Sequence, residues 1–477
     1  MKTRFFSRSP ALICRTHPPA RNCRGLAVVQ AVLWLGLTAG VANADTTFTT
    51  LVSFTGDNGA TPQSALVLAT NGNFYGTTAN GGLSGFGTVF KITPAGAFTN
   101  LISFNGQDGN LPGQLIKGND GNLYGSTLNG GVFGFGNVFK MTTSGILTSL
   151  LSFNGSNGAD PVGVIQGSDG NLYGITDAGG LYFNGADQTG LGTVFRTTTA
   201  GVLTNLVFFS ETNGAYAPLL QAKNGLFYGT TESGGLQSTG SIFSVTGSGV
   251  LQTLFSSDPT NGTTPEATLV QGTDGNFYGT SFNGGDFSFG SVFVLTPTGA
   301  FSTLVSFDQT NNGANPAGPL LLASDGNFYG TTSNGGTNGG GTVFSMTSAG
   351  LLTTLVSFRD TNGMTPLAGL VQGPDGAFYG TTSSGGAGNV GTIFRLGVVL
   401  AATAPVIQSV TRAGGYLTLT WSSVQGHTYQ LQSKTALTQT GWTSLFSVTA
   451  TSTTTTASDT NTIASSPQRF YRVALTQ

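Results

Sequence analysis

The chain has 477 residues, of which 75 are Gly and only 8% are charged, with a formal net charge of −2. Charges this sparse, with no basic block in the body of the chain, argue against a phosphate-backbone partner, so no nucleic acid is expected. Two cysteines and two histidines leave little for a Cys- or His-ligated metal centre.

The first segment reads as a leader. Lys2, Arg4, Arg8, Arg15, Arg21 and Arg24 precede an apolar run from Leu26 to Leu37, and Ala42-Asn43-Ala44 has the small-x-small form of a cleavage site. Residues 1–44 are therefore expected to be a signal peptide removed before Asp45. The apolar run is too short to span a bilayer, and no membrane span is expected in the mature chain. The leader holds Cys14, Cys23 and six of the 17 Lys+Arg, but none of the 19 Asp+Glu. The mature chain is thus expected to be cysteine-free, with a formal charge of −8 and His427 as its sole histidine. Secretion to the extracellular space is the expected location, with the periplasm as the alternative.

From residue 45 to 397 the chain repeats itself. A Tyr-Gly step recurs at Tyr75, Tyr124, Tyr173, Tyr228, Tyr278, Tyr329 and Tyr379, at intervals of 49, 49, 55, 50, 51 and 50 residues. A Gly-Gly pair begins six residues after each of these tyrosines. Between the glycines lie short runs rich in Val, Phe, Thr and Leu, bounded by turn residues, which read as strands. In the second unit strand a is Gln114–Lys117, b is Asn122–Thr127, c is Asn137–Thr142 and d is Ile146–Phe153. Asp120-Gly121 supplies the φ > 0 residues of a tight a-to-b hairpin. Four short antiparallel strands per fifty residues suit propeller blades, with a stacked β solenoid as the alternative. The ends of the array favour the ring. The first strand d, Thr47–Phe54, precedes the first strand a, while the last unit has no strand d of its own. An all-β, seven-bladed β-propeller closed by its N-terminal strand is predicted.

After a linker at 398–404 the composition shifts to Thr, Ser and Gln. Tyr416–Trp421, Thr428–Gln432, Ser444–Thr449 and Arg469–Leu475 alternate like half-buried strands. Residues 405–477 are expected to form a small fibronectin-III-like β-sandwich with Trp421, Trp442, Tyr429 and Phe470 as core candidates.

Residues present in every unit are expected to serve geometry. The Asn/Asp-Gly steps after strand d, such as Asn58-Gly59 and Asp108-Gly109, supply left-handed backbone. Calcium is the sharper alternative for these oxygens, but only Asp108 is acidic there and no EF-hand-like run exists. The Tyr-Gly tyrosines are expected in the core. Leu68, Lys117, Gln166, Gln221, Gln271, Leu322 and Gln372, seven residues before their tyrosines, suggest either a polar collar on the central channel or simple solvation of a strand end.

Function is expected where the repeat breaks. The third unit carries an insertion with Tyr182, Phe183 and Asp187, and Phe86, Phe135 and Phe289 occupy matching places in other b-to-c loops. Asp177 and Glu232 share one repeat position in adjacent units where the others are uncharged. Glu211 and Tyr216 lie in the loop into the fourth unit. Asp177, Tyr182, Phe183, Asp187, Glu211, Tyr216 and Glu232 are the candidate ligand-binding residues. Rim aromatics and carboxylates suit sugar rings and their hydroxyls. With no His or Cys in the repeats, no catalytic residue, metal or cofactor is assigned.

The pattern D-G-N-F-Y-G-T-T-x-x-G-G followed by G-T-V-F, seen at Asp274–Gly285 (with a Ser for one Thr) and Ser291–Phe293, resembles the GloVer tandem-repeat family (Gloeobacter/Verrucomicrobia). The resemblance covers about 350 residues and all seven units. It implies an exported bacterial repeat array and carries no catalytic residues. The tail from Tyr429-Gln430-Leu431-Gln432 through Trp442 to Arg469-Phe470-Tyr471-Arg472-Val473 is similar to a module appended to such proteins. The leading expectation is a secreted, non-catalytic binding or scaffold protein, a monomer, whose partner is an extracellular polysaccharide or protein. The alternatives are a carbohydrate-active enzyme (glycoside hydrolase or lyase) using rim carboxylates and a calcium-stabilised structural repeat protein.

Overall fold

The computed structural model describes residues 45–476, apart from 182, 185–189, 211–216, 236–237, 259–261, 400–404, 414–415, 424–426, 437, 452–453 and 461–468. The expected leader lies outside the described residues, as does 400–404 of the expected linker; Val398 and Val399 end the strand Thr392–Val399 instead.

Seven antiparallel sheets follow one another along the chain. Blade 1 comprises Val67–Leu68, Phe74–Thr78, Thr88–Ile92 and Phe98–Ser103 as strands a to d. Blades 2 to 6 repeat the plan at successive units. Blade 7 takes its first three strands from Val371–Gln372, Phe378–Thr382 and Thr392–Val399, and its fourth from Asp45–Ser53. That N-terminal strand pairs with the last strand c from Asp45↔Val399 to Ser53↔Thr392, so the ring closes as the permuted repeat predicts. Phe48 then lies against Phe394 and Phe358, with ring centroids 5.4 and 5.8 Å away.

The blade 2 strands fall at Ile116–Lys117, Leu123–Asn129, Asn137–Met141 and Leu147–Ser152, within two residues of expectation at each end. The sequence reading missed a short extra strand, Asn110–Pro112, which pairs with Leu123–Asn129. The first five residues of strand b are buried in every blade, because a neighbouring blade covers each of its faces; in blades 2 and 3 the strand runs two residues further, into half-buried or exposed positions.

The repeated residues hold blade to blade. Tyr173 stacks on Phe227 of the next blade at 4.1 Å, Tyr228 on Phe277 at 4.1 Å, Tyr278 on Phe328 at 4.2 Å and Tyr329 on Phe378 at 4.0 Å. Tyr379 on Phe74, at 4.2 Å, carries the same contact across the closing seam. The F-Y pair of the motif is thus one half of each of two seams. Strand d bulges at one place in each blade, and the bulge leucine meets the c-to-d turn glycine of the following blade, as Leu51 meets Gly96 and Leu101 meets Gly145.

The C-terminal module has six strands in two three-stranded sheets. One sheet orders Ile407–Ala413, Tyr416–Ser422 and Thr454–Asp459; the other orders Thr443–Thr449, Thr428–Lys434 and Phe470–Thr476. Leu417, Leu419 and Trp421 from one sheet bury against Tyr429 and Leu431 from the other, as in a sandwich. Ile407–Ala413 and Thr454–Asp459 were not legible as strands. The second is a run of threonines held by hydroxyl pairs such as Thr420–Thr456 at 2.9 Å and Thr418–Ser458 at 2.7 Å, and it shows no apolar alternation. Trp442 and Phe470 are only half-buried, so neither is the core residue expected of it. Among the described residues no helix is long and apolar enough to cross a membrane.

Candidate functional site: the loop face of the propeller

The d-to-a and b-to-c connections share one face of the ring, here called the top; the a-to-b and c-to-d turns form the bottom. On the bottom the constant side chains are committed to the fold. The motif aspartate accepts from the tyrosine hydroxyl and from the asparagine two residues on: Tyr124 and Asn122 on Asp120 at 2.9 and 2.8 Å, Tyr173 and Asn171 on Asp169 at 2.8 and 2.8 Å. The glutamines of the expected collar stitch adjacent blades. Gln166 Oε1 accepts the Asn119 amide of the preceding blade at 2.8 Å while its Nε2 donates to Gly170 of its own hairpin at 2.9 Å. Gln221, Gln271 and Gln372 do the same at their seams. The central channel itself is a cavity of about 180 Å³, walled chiefly by apolar residues such as Ile116, Ile165, Val270 and Pro319.

The Asn/Asp-Gly steps on the top are also occupied. Asn58 Oδ1 accepts the Thr55 amide at 2.8 Å, and Asp108 and Asn157 close the same turn. Gly59, at φ 120°, leaves no room for a Cβ against Thr78, whose hydroxyl pairs with that of Thr88 at 2.8 Å. Among the described residues, the b-to-c loops of blades 1, 2 and 4 to 7 each pass a carbonyl to the next blade, as Phe86 O accepts from Leu111 and Val390 O from Thr61.

What these bonds leave over is the divergent part of the top face. Asp177 ends strand b of blade 3 and Glu232 follows strand b of blade 4, both with solvent-accessible side chains. Two carboxylates that sequence reasoning passed over join them: Asp160, at φ 55°, and Glu266, half-buried after Pro265. Burial first, then the charges of Asp160 and Glu232, push the Asp177 carboxyl up to about 6. Burial and the charge of Glu232 push Glu266 up to about 7, and burial raises Asp160. The Asp177 side chain is exposed, so water screens part of this effect. Near neutral pH Asp177 and Glu266 both accept and donate hydrogen bonds. Among the described residues no three His, Cys, Asp or Glu side chains converge to hold a metal ion.

Of the remaining candidates, Tyr182, Asp187, Glu211 and Tyr216 lie outside the described residues. Phe183 is half-buried, edge-on to Phe135 of the preceding blade at 5.2 Å and over Gly155. Phe135 and Phe289 also pack inward. The most exposed rings of these loops are Phe133 and Phe287, 55% and 56% exposed, two residues before Phe135 and Phe289, while Phe86 is 37% exposed. Both rings of each pair are visible in the sequence as F-G-F and F-S-F; in a strand they would share a face, but Gly134 at φ 87° and Ser288 at φ 64° turn the loop between them, so one ring packs and the other is exposed. Between blades 5 and 6 a cleft of about 620 Å³ is lined by Gln309, Thr310, Asn315, Asn334, Thr337 and glycines. It is polar and carries no charge.

The Gloeobacter/Verrucomicrobia repeat model matches residues 36–217, 183–321 and 217–443. The chain belongs to this repeat family. No curated protein is similar enough to count as a match. Among solved structures, the chain is similar to the extracellular domain of a hybrid two-component system of B. thetaiotaomicron, at 12% identity and a TM-score of 0.49, over 88% of this chain and 56% of that one. PorZ, a surface component of the type-IX secretion system of Porphyromonas gingivalis, shows 13% identity and a TM-score of 0.49 over 89% and 58%. A PL25 ulvan lyase shows 8% identity and a TM-score of 0.39 over 78% and 92%. The chain thus spans little more than half the length of the first two.

Proposed function

We propose that the chain is an exported, non-catalytic binding module whose top face takes a polysaccharide without anionic groups. One observation carries this reading: the side chains common to the blades are used up in seams and turns, whereas the divergent ones gather, accessible, on one face. Phe133 and Phe287 offer flat apolar surface to sugar rings. Asp177, Glu232 and Glu266, with the amides around the 620 Å³ cleft, offer acceptors and donors to hydroxyls. Among the described residues, Asp57, Asp108, Asp160, Asp177, Glu232, Asp258, Glu266, Asp286, Asp308 and Asp360 share this face with a single cation, Arg359, so an anionic chain is repelled. The basic, then apolar, then small-residue start of the chain supports export.

A glycan array probed with the full chain tests this. Neutral oligosaccharides are expected to give signal, and Phe133→Ala with Phe287→Ala to weaken it about tenfold, the effect of roughly 1.4 kcal/mol. Signal confined to anionic glycans, or unchanged by the double variant, contradicts it. A second reading, glycoside cleavage, is favoured by the raised carboxyls of Asp177 and Glu266, the state a general acid needs. Release of reducing ends from a bound polysaccharide, abolished by Asp177→Asn or Glu266→Gln, would replace the binding reading with this one.

A further inference from the structure

The C-terminal module carries a second constellation, unrelated to the top face. Residues 405–477 contain Arg412, Lys434, Arg469 and Arg472 but a single acid, Asp459. Asp459 is engaged within the module by Arg469 at 2.8 Å and by the Tyr471 hydroxyl at 2.9 Å. On the sheet of Thr443–Thr449, Thr428–Lys434 and Phe470–Thr476, the Arg472 guanidinium lies over the Trp442 ring, 4.8 Å from its centroid. Lys434 Nζ lies over the same ring at 4.7 Å. Arg472 Nε donates to Gln432 Oε1 at 2.7 Å, and Gln432 Nε2 in turn donates to Gln430 Oε1 at 2.6 Å and to Ser444 Oγ at 3.3 Å.

This is a held guanidinium. One edge is fixed by Gln432 and one face by the indole, while the side chain is exposed and its two terminal nitrogens keep their donors for an outside acceptor. An Arg pre-set in this way loses little freedom on binding a planar oxyanion, which it grips with two parallel hydrogen bonds. A second positive charge stands beside it on Lys434. The half-buried indole and the Gln430 and Gln432 amides lie on the same sheet face, suited to a sugar ring and its hydroxyls. Gln430, Gln432 and Lys434 come from Thr428–Lys434, the central strand, whereas Arg472 comes from the edge strand Phe470–Thr476, so an acidic polypeptide is the competing occupant.

We propose that this face binds the carboxylate or sulfate groups of an acidic polysaccharide, with Arg472 as the anion fork and Trp442 as its platform. The site goes beyond the top-face reading and does not depend on it, since the acidic top face repels the very chains this face attracts.

The test uses the full chain in affinity electrophoresis through gels containing polygalacturonate, its fully methyl-esterified form, dextran sulfate, dextran or poly-glutamate. Polygalacturonate or dextran sulfate is expected to retard the chain at concentrations at least tenfold below their uncharged counterparts, and the stronger of the two identifies the anion. Arg472→Gln is expected to remove at least nine-tenths of that retardation. Arg472→Lys, which keeps the charge but not the fork, is expected to recover less than half of it. Phe133→Ala with Phe287→Ala is expected to leave it unchanged. Equal retardation by charged and uncharged polymers, or parental retardation by Arg472→Gln or Arg472→Lys, overturns the proposal. Stronger retardation by poly-glutamate than by either polysaccharide overturns it in favour of an acidic polypeptide.

Discussion

On the bottom of the propeller burial alone would raise the Asp120, Asp169, Asp274 and Asp375 carboxyls, but hydrogen bonds from tyrosine at all four, from asparagine at the first three, and from Lys140 at Asp120 or Arg395 at Asp375 outweigh it and hold them below the usual range. On the top, burial raises Asp160, and burial with neighbouring charge raises Asp177 and Glu266, with nothing to offset them. The same repeat thus produces bottom carboxylates that stabilise the ring and, on the top, three that strain it, although at Asp308 on that face burial is outweighed by hydrogen bonds from Asn311 and Asn312, which lower it. The difference follows the sequence: bottom carboxylates belong to the motif, together with the residues that satisfy them, whereas Asp160, Asp177 and Glu266 entered single blades without such a set. Groups kept at a cost to stability on an accessible face are the ones to examine for binding.

The largest expected effect tests the ring itself. Deleting residues 45–53 removes Phe48, Leu51 and Val52 from blade 7 and leaves an open edge on strand Thr392–Val399. At about 2 kcal/mol for each buried side chain, the melting temperature should fall by roughly 10 °C or more, read by differential scanning calorimetry. An unchanged melting temperature would mean that the closing strand does not hold the ring.

Next is a seam against a loop. Phe277→Ala, which empties the stack on Tyr228, should cost about 3–5 kcal/mol in denaturant unfolding. Phe133→Ala, equally large but exposed on the top, should stay within about 0.5 kcal/mol. If the two losses are alike, the division between faces is wrong. A smaller loss is expected from Gln166→Ala, about 1 kcal/mol, because the Asn119 amide loses its acceptor.

The sequence showed this division only in part. Period, blade number and closure were legible because a Tyr-Gly step, a Gly-Gly pair and a displaced strand d are local patterns. The polar collar was legible as a position but not as a role, since Gln166 meets Asn119 only across a seam that sequence spacing does not display. Asp160 and Glu266 escaped notice for the same reason: they hold different repeat positions from Asp177 and Glu232, and only the fold brings their charges to bear on one another. Phe183 was chosen as a free ring because it arrives on an insertion, yet it packs on Phe135.

The smallest effect is on pH dependence, and its sign differs between faces. Asp177 and Glu266, at about 6 and 7 when folded, hold protons that the unfolded chain has released, so stability falls as pH rises from about 4 through 7. The lowered bottom carboxylates act the other way: their contribution is present above about pH 4 and lost as pH falls through their folded values. Melting temperature should therefore peak near pH 4 to 5. Asp177→Asn with Glu266→Gln should raise it at pH 8 and leave it unchanged at pH 4. A variant as pH-sensitive as the parent between those values would place the strain elsewhere.

The central claim is that the repeat's constant residues hold the ring and its divergent ones face a ligand. Hydrogen–deuterium exchange of the full chain, with and without a neutral oligosaccharide retained on the glycan array, tests it most directly. The account predicts new protection in the b-to-c and d-to-a connections of blades 2 to 6, around Phe133, Asp177, Glu232 and Asn334, with the a-to-b and c-to-d turns unchanged. Protection confined to the bottom turns, or spread evenly over both faces, would contradict it.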